Sequence, residues 1–173
     1  MASFEKRISS RWTPDETFSY LAMFSNARYW DPGVLDAERL DTGLVRAGSQ
    51  FRLVVPFGRR RLALTYRVVS HSRADREIRL TARTALLCVT DHIAVGPSGP
   101  VPGQTFVDYR AEVRLRGPAR LLDPVLRQGF EIVGESAAAG LAVVLAGPPP
   151  VLPSTESPAT GPSSASADCT QVQ

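Results

Sequence analysis

The sequence has few of the residues that build metal, redox and phosphate sites. Its 173 residues include two cysteines and two histidines. Cys88 and Cys169 are far apart, so a CxxC redox motif and zinc-type spacing are both absent; Cys88 is expected as a small buried hydrophobe in a strand. The chain also lacks a glycine-rich phosphate loop, an HExxH motif and a nucleophile elbow. No metal and no cofactor are therefore expected.

Long apolar runs are also missing. The richest run, residues 141–146, is far shorter than the ~18 residues that a membrane span needs. The first seven residues carry charges without an apolar segment behind them, which argues against a cleaved secretion signal. No membrane span is expected, and the expected location is the cytoplasm.

Lysine is nearly absent, because Lys6 is the single lysine among 20 basic residues and the other 19 are arginines. The formal charge is +3, and residues 1–146 alone hold 20 basic against 15 acidic residues. The arginines are spread along strand positions and interleaved with acids, whereas a nucleic-acid-binding domain gathers them on one face. The one cluster, Arg59 to Arg61, falls where a hairpin should turn. No nucleic-acid partner is expected.

The composition changes abruptly at Gly147. Residues 147–173 are rich in proline, serine and alanine and contain no aromatic residue. Such a segment cannot bury enough apolar surface to offset the loss of chain entropy. The sequence thus predicts one domain over residues 1–146 and a disordered tail over residues 147–173, in which Pro150 and Pro153 form a single Pro-x-x-Pro motif.

Five segments of the domain alternate between apolar and polar residues, which is typical of strands with one face in water. They are residues 51–57, 62–68, 78–83, 89–95 and 107–115. A first strand at 4–12 and another near 34–41 bring the expected number to about seven. The connections are short and carry turn residues, so an antiparallel meander is predicted.

Two short helices are predicted after the first strand. Thr13 can cap the first helix, Pro14 suits its first position, and Glu16 completes a capping box. The second short helix is expected at residues 26–30, with Ser25 as its cap.

A long helix is predicted after Pro118, ending near Ala146. Its apolar residues recur at spacings of three and four, so Val133, Ala137 and Val144 are expected on the buried face. Pro124 leaves two alternatives open, since the regular helix either begins at Asp123 after a turn or kinks at the proline.

Besides this order of elements, several segments of the sequence resemble those of a known family. They are Thr13–Leu21, Asn26–Gly33, Gly48–Phe51, Tyr109–Val113 and Gly117–Pro124. The chain from residue 4 to about 145 resembles the SRPBCC superfamily (START, polyketide cyclase and Bet v 1-like proteins), most closely its bacterial polyketide cyclase/dehydrase branch. The resemblance implies an α+β helix-grip fold, with a curved sheet around a long C-terminal helix and an internal cavity for lipids, polyketides or other hydrophobic molecules.

Strand parity selects the residues expected to line that cavity. The expected lining consists of Phe51, Leu53, Phe57, Leu64, Tyr66, Leu80, Asp91, Ile93 and Tyr109 on the sheet, with Val125, Phe130 and Val133 on the helix. Asp91 is expected inward and its neighbour His92 outward. The other reading of Asp91 is a solvated position near the strand end, or a pair with an arginine.

Asp91, Tyr109 and Tyr66 are the candidates for catalysis, although no catalytic residue is assigned. A desolvated carboxylate has a raised pKa and can act as a general base. A phenol in the pocket can orient a carbonyl or hydroxyl group, but both tyrosines can equally be core residues bonded to backbone or water.

Three functional hypotheses follow. The first is a non-enzymatic binder or carrier of a hydrophobic small molecule. The second is a polyketide cyclase or dehydratase that acts on a poly-β-ketone-like substrate. The third is a protein-interaction module that uses the outer sheet face or the tail. The sequence does not determine the ligand or the oligomeric state.

Overall fold

The computed structural model describes residues 1–97, 104–117 and 123–150. Seven strands and three α-helices lie in these ranges. In chain order they are β1 Ala2–Ser10, α1 Pro14–Ala22, α2 Ala27–Trp30 after a short 3-10 turn at Phe24–Asn26, β2 Asp36–Arg39, β3 Gln50–Phe57, β4 Arg60–Ser72, β5 Glu77–Arg83, β6 Leu87–Pro97, β7 Thr105–Leu115 and α3 Asp123–Ala146.

The strands form one antiparallel sheet in the order β1-β7-β6-β5-β4-β3-β2. Strands β2 to β7 follow the chain order, as the short connections predict, and β1 joins the free edge of β7 with Phe4 opposite Ala111. The sheet curves around α3, so the expected helix-grip architecture is confirmed.

One face of the sheet is buried and the other is wet. The inward positions predicted from alternation are buried in β3 to β7, for example Phe51, Leu80 and Ile93, each 0 % exposed. Phe57 is an exception, because it lies beside the β3–β4 turn and is 53 % exposed. Its expected inward orientation is wrong, since the hairpin end extends past the part of the sheet that the helices cover.

The start of α1 has the predicted capping box. The Thr13 hydroxyl accepts a hydrogen bond from the Glu16 backbone N–H, and the Glu16 carboxylate accepts one from the Thr13 backbone N–H. The predicted cap of the next helix is wrong. Asn26, rather than Ser25, holds the N-cap position of α2, and it makes no side-chain capping bond there.

Helix α3 begins at Asp123, which confirms one of the two alternatives for Pro124. The expected buried face is only partly right. Ala137 is buried as expected, but Val133 is 50 % exposed, and the buried residues are Ala137, Ala138, Leu141 and Leu145. The helix is rotated relative to the prediction because its glycines contact other elements. A Cβ atom at Gly134 would lie 2.4 Å from Phe4 Cγ, and one at Gly140 would lie 2.1 Å from the Trp30 carbonyl oxygen.

Helix α3 also bears on the membrane prediction. Residues Gly129–Ala146 have a mean hydropathy of 1.5 and are long enough to cross a membrane, and 28 % of this stretch is buried. This is weak evidence for a span, because the core helix of a soluble domain has the same length and composition. The packing of Gly134 on β1 and of Gly140 on α2 makes the helix part of the core.

Candidate functional site

The candidate site is centred on Asp91, in the middle of β6. Alternation turns Asp91 to the inner face of the sheet, between Leu80 of β5 and Ala111 of β7. The residue is 3 % exposed, and no described arginine pairs with its carboxylate. The inward reading is therefore confirmed, and the reading as a solvated or arginine-paired residue is wrong.

Two tyrosines flank this carboxyl group. Tyr109 is opposite Ile93, one diagonal step from Asp91, and its hydroxyl donates a hydrogen bond of 2.8 Å to Asp91 Oδ1. Tyr66, on β4, interacts with the same carboxyl by charge and as a nearby hydrogen-bond donor, although its hydroxyl does not meet hydrogen-bond geometry with Asp91 Oδ2. Both rings are buried. The three candidate catalytic residues thus lie together.

Aromatic rings surround the cluster. Trp30 of α2 meets Tyr109 edge-on at 5.9 Å between ring centroids, and Phe24 meets Tyr66 at 5.0 Å. Phe4 of β1 lies 6.5 Å from Tyr109. These contacts fix the two phenols in place and exclude water from the carboxyl group.

The second carboxylate oxygen, Asp91 Oδ2, has no hydrogen-bond partner among the described residues and is completely buried. A buried acceptor without a donor costs roughly 1–3 kcal/mol, and more when it is charged. In native structures such atoms usually have a partner, which can be an ordered water, a bound ligand or a reacting group. The unpartnered oxygen makes this position the candidate site.

Burial also changes the acid–base behaviour of the cluster. Desolvation raises the pKa of Asp91 to about 6, against the opposing effect of the two phenols. Desolvation and the nearby Asp91 carboxylate raise the pKa values of Tyr66 and Tyr109 well above the ordinary value. At neutral pH the cluster consists of one carboxylate, ready to accept a proton, beside two neutral phenols.

Asp31 was not identified from the sequence as part of this cluster. It follows α2, and its Oδ1 accepts a hydrogen bond of 2.8 Å from the Gly33 backbone N–H. Burial raises its pKa, and its charge acts on Asp91 and on both tyrosines. A turn signal at Asp31-Pro32-Gly33 was readable from the residues alone, but only the fold brings this turn to the inner face.

The remaining residues of the expected lining divide into four groups. Phe51, Leu53, Leu64, Leu80 and Ile93 are buried on the inner face with the cluster. Phe130 is half-buried against the same core. Phe57 and Val133 are exposed, and the side chain of Val125 lies outside the described residues.

Neither histidine belongs to the cluster. His92 points to the outer face, as parity predicts, and contacts Glu77. His71 packs against Phe18 at 5.3 Å between ring centroids. The described residues contain no group of three or more His, Cys, Asp or Glu side chains that could hold a metal ion.

A separate concavity of about 340 Å³ opens between the start of β1 and α3. Met1, Ala2, Ser3 and Glu131 line it. Ala2 belongs to the inner face, since it pairs with Val113 in the row beside Asp91. This is the end of the sheet where the first turns of α3 approach β1.

Comparisons with known proteins bear on the family and the fold. The profile of the family described as "Polyketide cyclase / dehydrase and lipid transport" matches residues 1–146. No curated protein sequence matches the chain.

Solved structures share the fold at low sequence identity. A START superfamily protein from Mycobacterium smegmatis is 16 % identical with a TM-score of 0.66, over 84 % of this chain and 97 % of that one. TTHA0849 from Thermus thermophilus is 13 % identical with a TM-score of 0.66, over 82 % and 94 %. The di-domain ARO/CYC BexL from the BE-7585A biosynthetic pathway is 14 % identical with a TM-score of 0.57, over 83 % of this chain and 47 % of BexL. With its profile match over residues 1–146, the chain belongs to the polyketide cyclase/dehydrase and lipid transport family.

Proposed function

We propose that this protein binds a hydrophobic small molecule between the sheet and α3, and that Asp91 recognises a hydroxyl or enol group of that molecule. The unpartnered Asp91 Oδ2 carries the proposal. It is a buried acceptor in an otherwise apolar face, so a ligand that donates one hydrogen bond there satisfies the only missing contact among the described inner-face residues.

The surroundings favour binding without turnover. Phe51, Leu80 and Ile93 offer apolar contact on the inner face, and Asp91 is the one buried residue with a charged side chain among the described residues. The family description includes lipid transport, which fits a carrier of lipids, polyketides or similar molecules. We place the binding domain at residues 1–146, with residues 147–173 as a spacer, and its location in the cytoplasm.

The test compares two probes of similar shape, naphthol and naphthalene. Asp91→Asn replaces a charged acceptor by a neutral one of equal size, so it should weaken naphthol binding about five- to tenfold and leave naphthalene binding unchanged. Tyr109→Phe frees Oδ1 of Asp91 and should alter the affinity for naphthol alone. Affinities are measured by titration with intrinsic fluorescence, and native mass spectrometry detects any co-purified ligand.

Matched control variants are available on the surface. Asp108→Asn removes a carboxylate that pairs with Arg7 at 2.7 Å, and Tyr29→Phe removes the hydroxyl of a tyrosine that is 60 % exposed. Neither should affect binding. The proposal would be contradicted if the protein carried no co-purified ligand and bound neither probe. It would also be contradicted if Asp91→Asn reduced the affinities for naphthol and naphthalene equally.

A second candidate function is cyclisation or dehydration of a poly-β-ketone-like substrate. The observation in its favour is the pKa of about 6 at Asp91, which suits a general base at neutral pH. In this reaction Asp91 Oδ2 takes a proton from a carbon between two carbonyl groups, and a neighbouring tyrosine hydroxyl polarises the carbonyl that becomes the enolate. An enzyme should turn over such a substrate, and Asp91→Asn should abolish the turnover without changing the affinity for the substrate. A carrier should show no turnover.

A further inference from the structure

The outer face of the sheet carries a groove that the proposed ligand site does not use. Its floor is β6, which presents the short side chains of Cys88 and Thr90 outward. Its walls are the longer side chains of β5 and β7, and two adjoining hollows of about 140 Å³ and 240 Å³ lie between them. Cys88 is partly exposed in this groove, so its expected burial is wrong.

Strand register places four arginines at the corners of the groove. Arg79 and Arg110 are both opposite His92, and Arg83 and Arg114 are both opposite Cys88. Strands are ~4.8 Å apart and rise ~3.4 Å per residue, so the Cα atoms of the four arginines define a rectangle of about 10 by 14 Å.

The charge of the groove is strongly biased. Glu112 is the one acid among its lining residues, against four arginines. Arg110 pairs with Glu5 at 3.0 Å and Arg114 lies 3.7 Å from Glu112. Arg79 and Arg83 have no ion pair within the described residues, and both side chains are exposed. Two guanidinium groups on one wall are therefore available to an anionic partner.

We propose that this outer groove, formed by Arg79, Arg83, Arg110 and Arg114 over β6, docks an acidic α-helix of another protein. A helix with its side chains is ~10–12 Å wide, which matches the separation of the two arginine walls. Carboxylates on one flank would meet the unpaired Arg79 and Arg83 in the paired geometry that arginine favours. Carboxylates on the other flank would face Arg110 and Arg114, which also contact Glu5 and Glu112.

An added β-strand and a nucleic acid fit this groove less well than an acidic helix does. β6 is already hydrogen-bonded to β5 and β7 along its length, so the groove cannot accept an added strand and needs a segment whose own backbone bonds are internal. His92 is the one aromatic side chain among the described lining residues, so the groove offers little stacking surface for successive bases.

The experiment uses the full-length protein and a fluorescein-labelled, alanine-rich helical peptide with glutamates on two flanks. Fluorescence anisotropy at low ionic strength measures binding, and backbone NMR shifts at Thr90 and His92 locate it. Arg83→Gln with Arg114→Gln should weaken binding at least about tenfold. The matched control, Arg59→Gln with Arg61→Gln at the exposed β3–β4 hairpin, removes the same charge and should change binding less than about twofold. Arg79→Gln with Arg83→Gln is a second groove variant, used if the first unfolds.

Several outcomes would overturn the proposal. One is that the glutamate peptide does not bind, or binds no better than its glutamine counterpart. Another is an equal loss in the groove and hairpin variants, which indicates general attraction. Tighter binding of a single-stranded oligonucleotide of equal charge, lost in the same groove variants, would assign the groove to nucleic acid. Peptide binding that is lost only in the groove variants supports the acidic helix.

Discussion

Asp91 has an unfavourable position for a charged residue. Its row of the inner face reads Val68, Leu80, Asp91, Ala111 and Phe4 across five strands, so every neighbour in the row is apolar. One oxygen is bonded to Tyr109 and the other has no partner among the described residues. An apolar residue of similar volume would satisfy packing better, so packing alone does not account for the carboxyl group.

The pKa shift of Asp91 predicts a pH-dependent stability difference. The folded-state value of about 6 is above the unfolded value of ~3.9, so the folded protein binds more protons between these pH values, and the charged form destabilises the fold above pH ~6. Asp91→Asn should therefore raise the free energy of unfolding by about 2–3 kcal/mol at pH ~8, and the gain should disappear below pH ~4. Urea unfolding at the two pH values measures this.

The control for this prediction is Asp108→Asn, which removes an exposed, arginine-paired carboxylate and should change the free energy of unfolding by less than about 1 kcal/mol at pH ~8. If Asp91→Asn were destabilising at high pH, the hydrogen-bonding effect of the two tyrosine hydroxyls on the carboxylate would outweigh its desolvation, and the prediction would be wrong.

Sequence reasoning reached part of this site. Parity alone put Asp91 and Tyr109 on one face, because the side-chain period of a strand is two. Their contact depends on the pairing of Ile93 with Tyr109, which parity does not give. Asp31 was missed because its position depends on where α2 ends against the sheet, and a turn motif contains no information on that packing.

At the scale of elements, the close contacts of α3 depend on the absence of a Cβ atom at two of its glycines. Gly134 lies over the ring of Phe4, and Gly140 lies over the backbone carbonyl of Trp30. The helix period was readable from sequence, but the buried face was not, because small residues near several positions give nearly equal hydrophobic faces. The close contacts at the two glycines decide the rotation.

Two glycine substitutions in α3 should have opposite effects. Gly140→Ala should destabilise the protein by about 1–3 kcal/mol or more, because its Cβ would lie 2.1 Å from a backbone oxygen that cannot rotate away. Gly129→Ala has nothing within 4 Å of the new atom, so it should stabilise the helix by about 0.5–1 kcal/mol. Thermal and urea unfolding measure both, and a stabilising Gly140→Ala would disprove the close contact.

At the scale of the whole molecule, the end of α3 is tied to the start of the chain. The Arg11 backbone N–H donates to the Leu145 carbonyl oxygen at 3.0 Å, and the Trp12 indole N–H donates to the Gly147 carbonyl oxygen at 2.7 Å. These bonds close the helix against β1. Helix α3 ends at Ala146, as expected. The domain boundary at that residue stays a prediction, and the predicted disorder of the tail falls mostly on residues 151–173, outside the described residues.

Two truncations test where the folded unit ends. A chain ending at Pro150 keeps both bonds and should unfold with the same free energy as the full chain. A chain ending at Ala146 loses the acceptor for Trp12 and should lose about 1 kcal/mol. Urea unfolding and tryptophan fluorescence measure the difference. A large loss on removal of residues 151–173 alone would show that the tail contributes to the fold.

The alternation along β6 has a consequence for which sequence changes the protein can tolerate. Three consecutive residues of this strand alternate between the two faces. Thr90 and His92 line the outer groove, and Asp91 lies in the inner cluster. Inserting or deleting a single residue before Thr90 would exchange the two faces, putting the carboxylate among the arginines and the imidazole in the apolar interior. Related genes should therefore vary in length in the connections on either side of β6, while the spacing within the strand stays fixed.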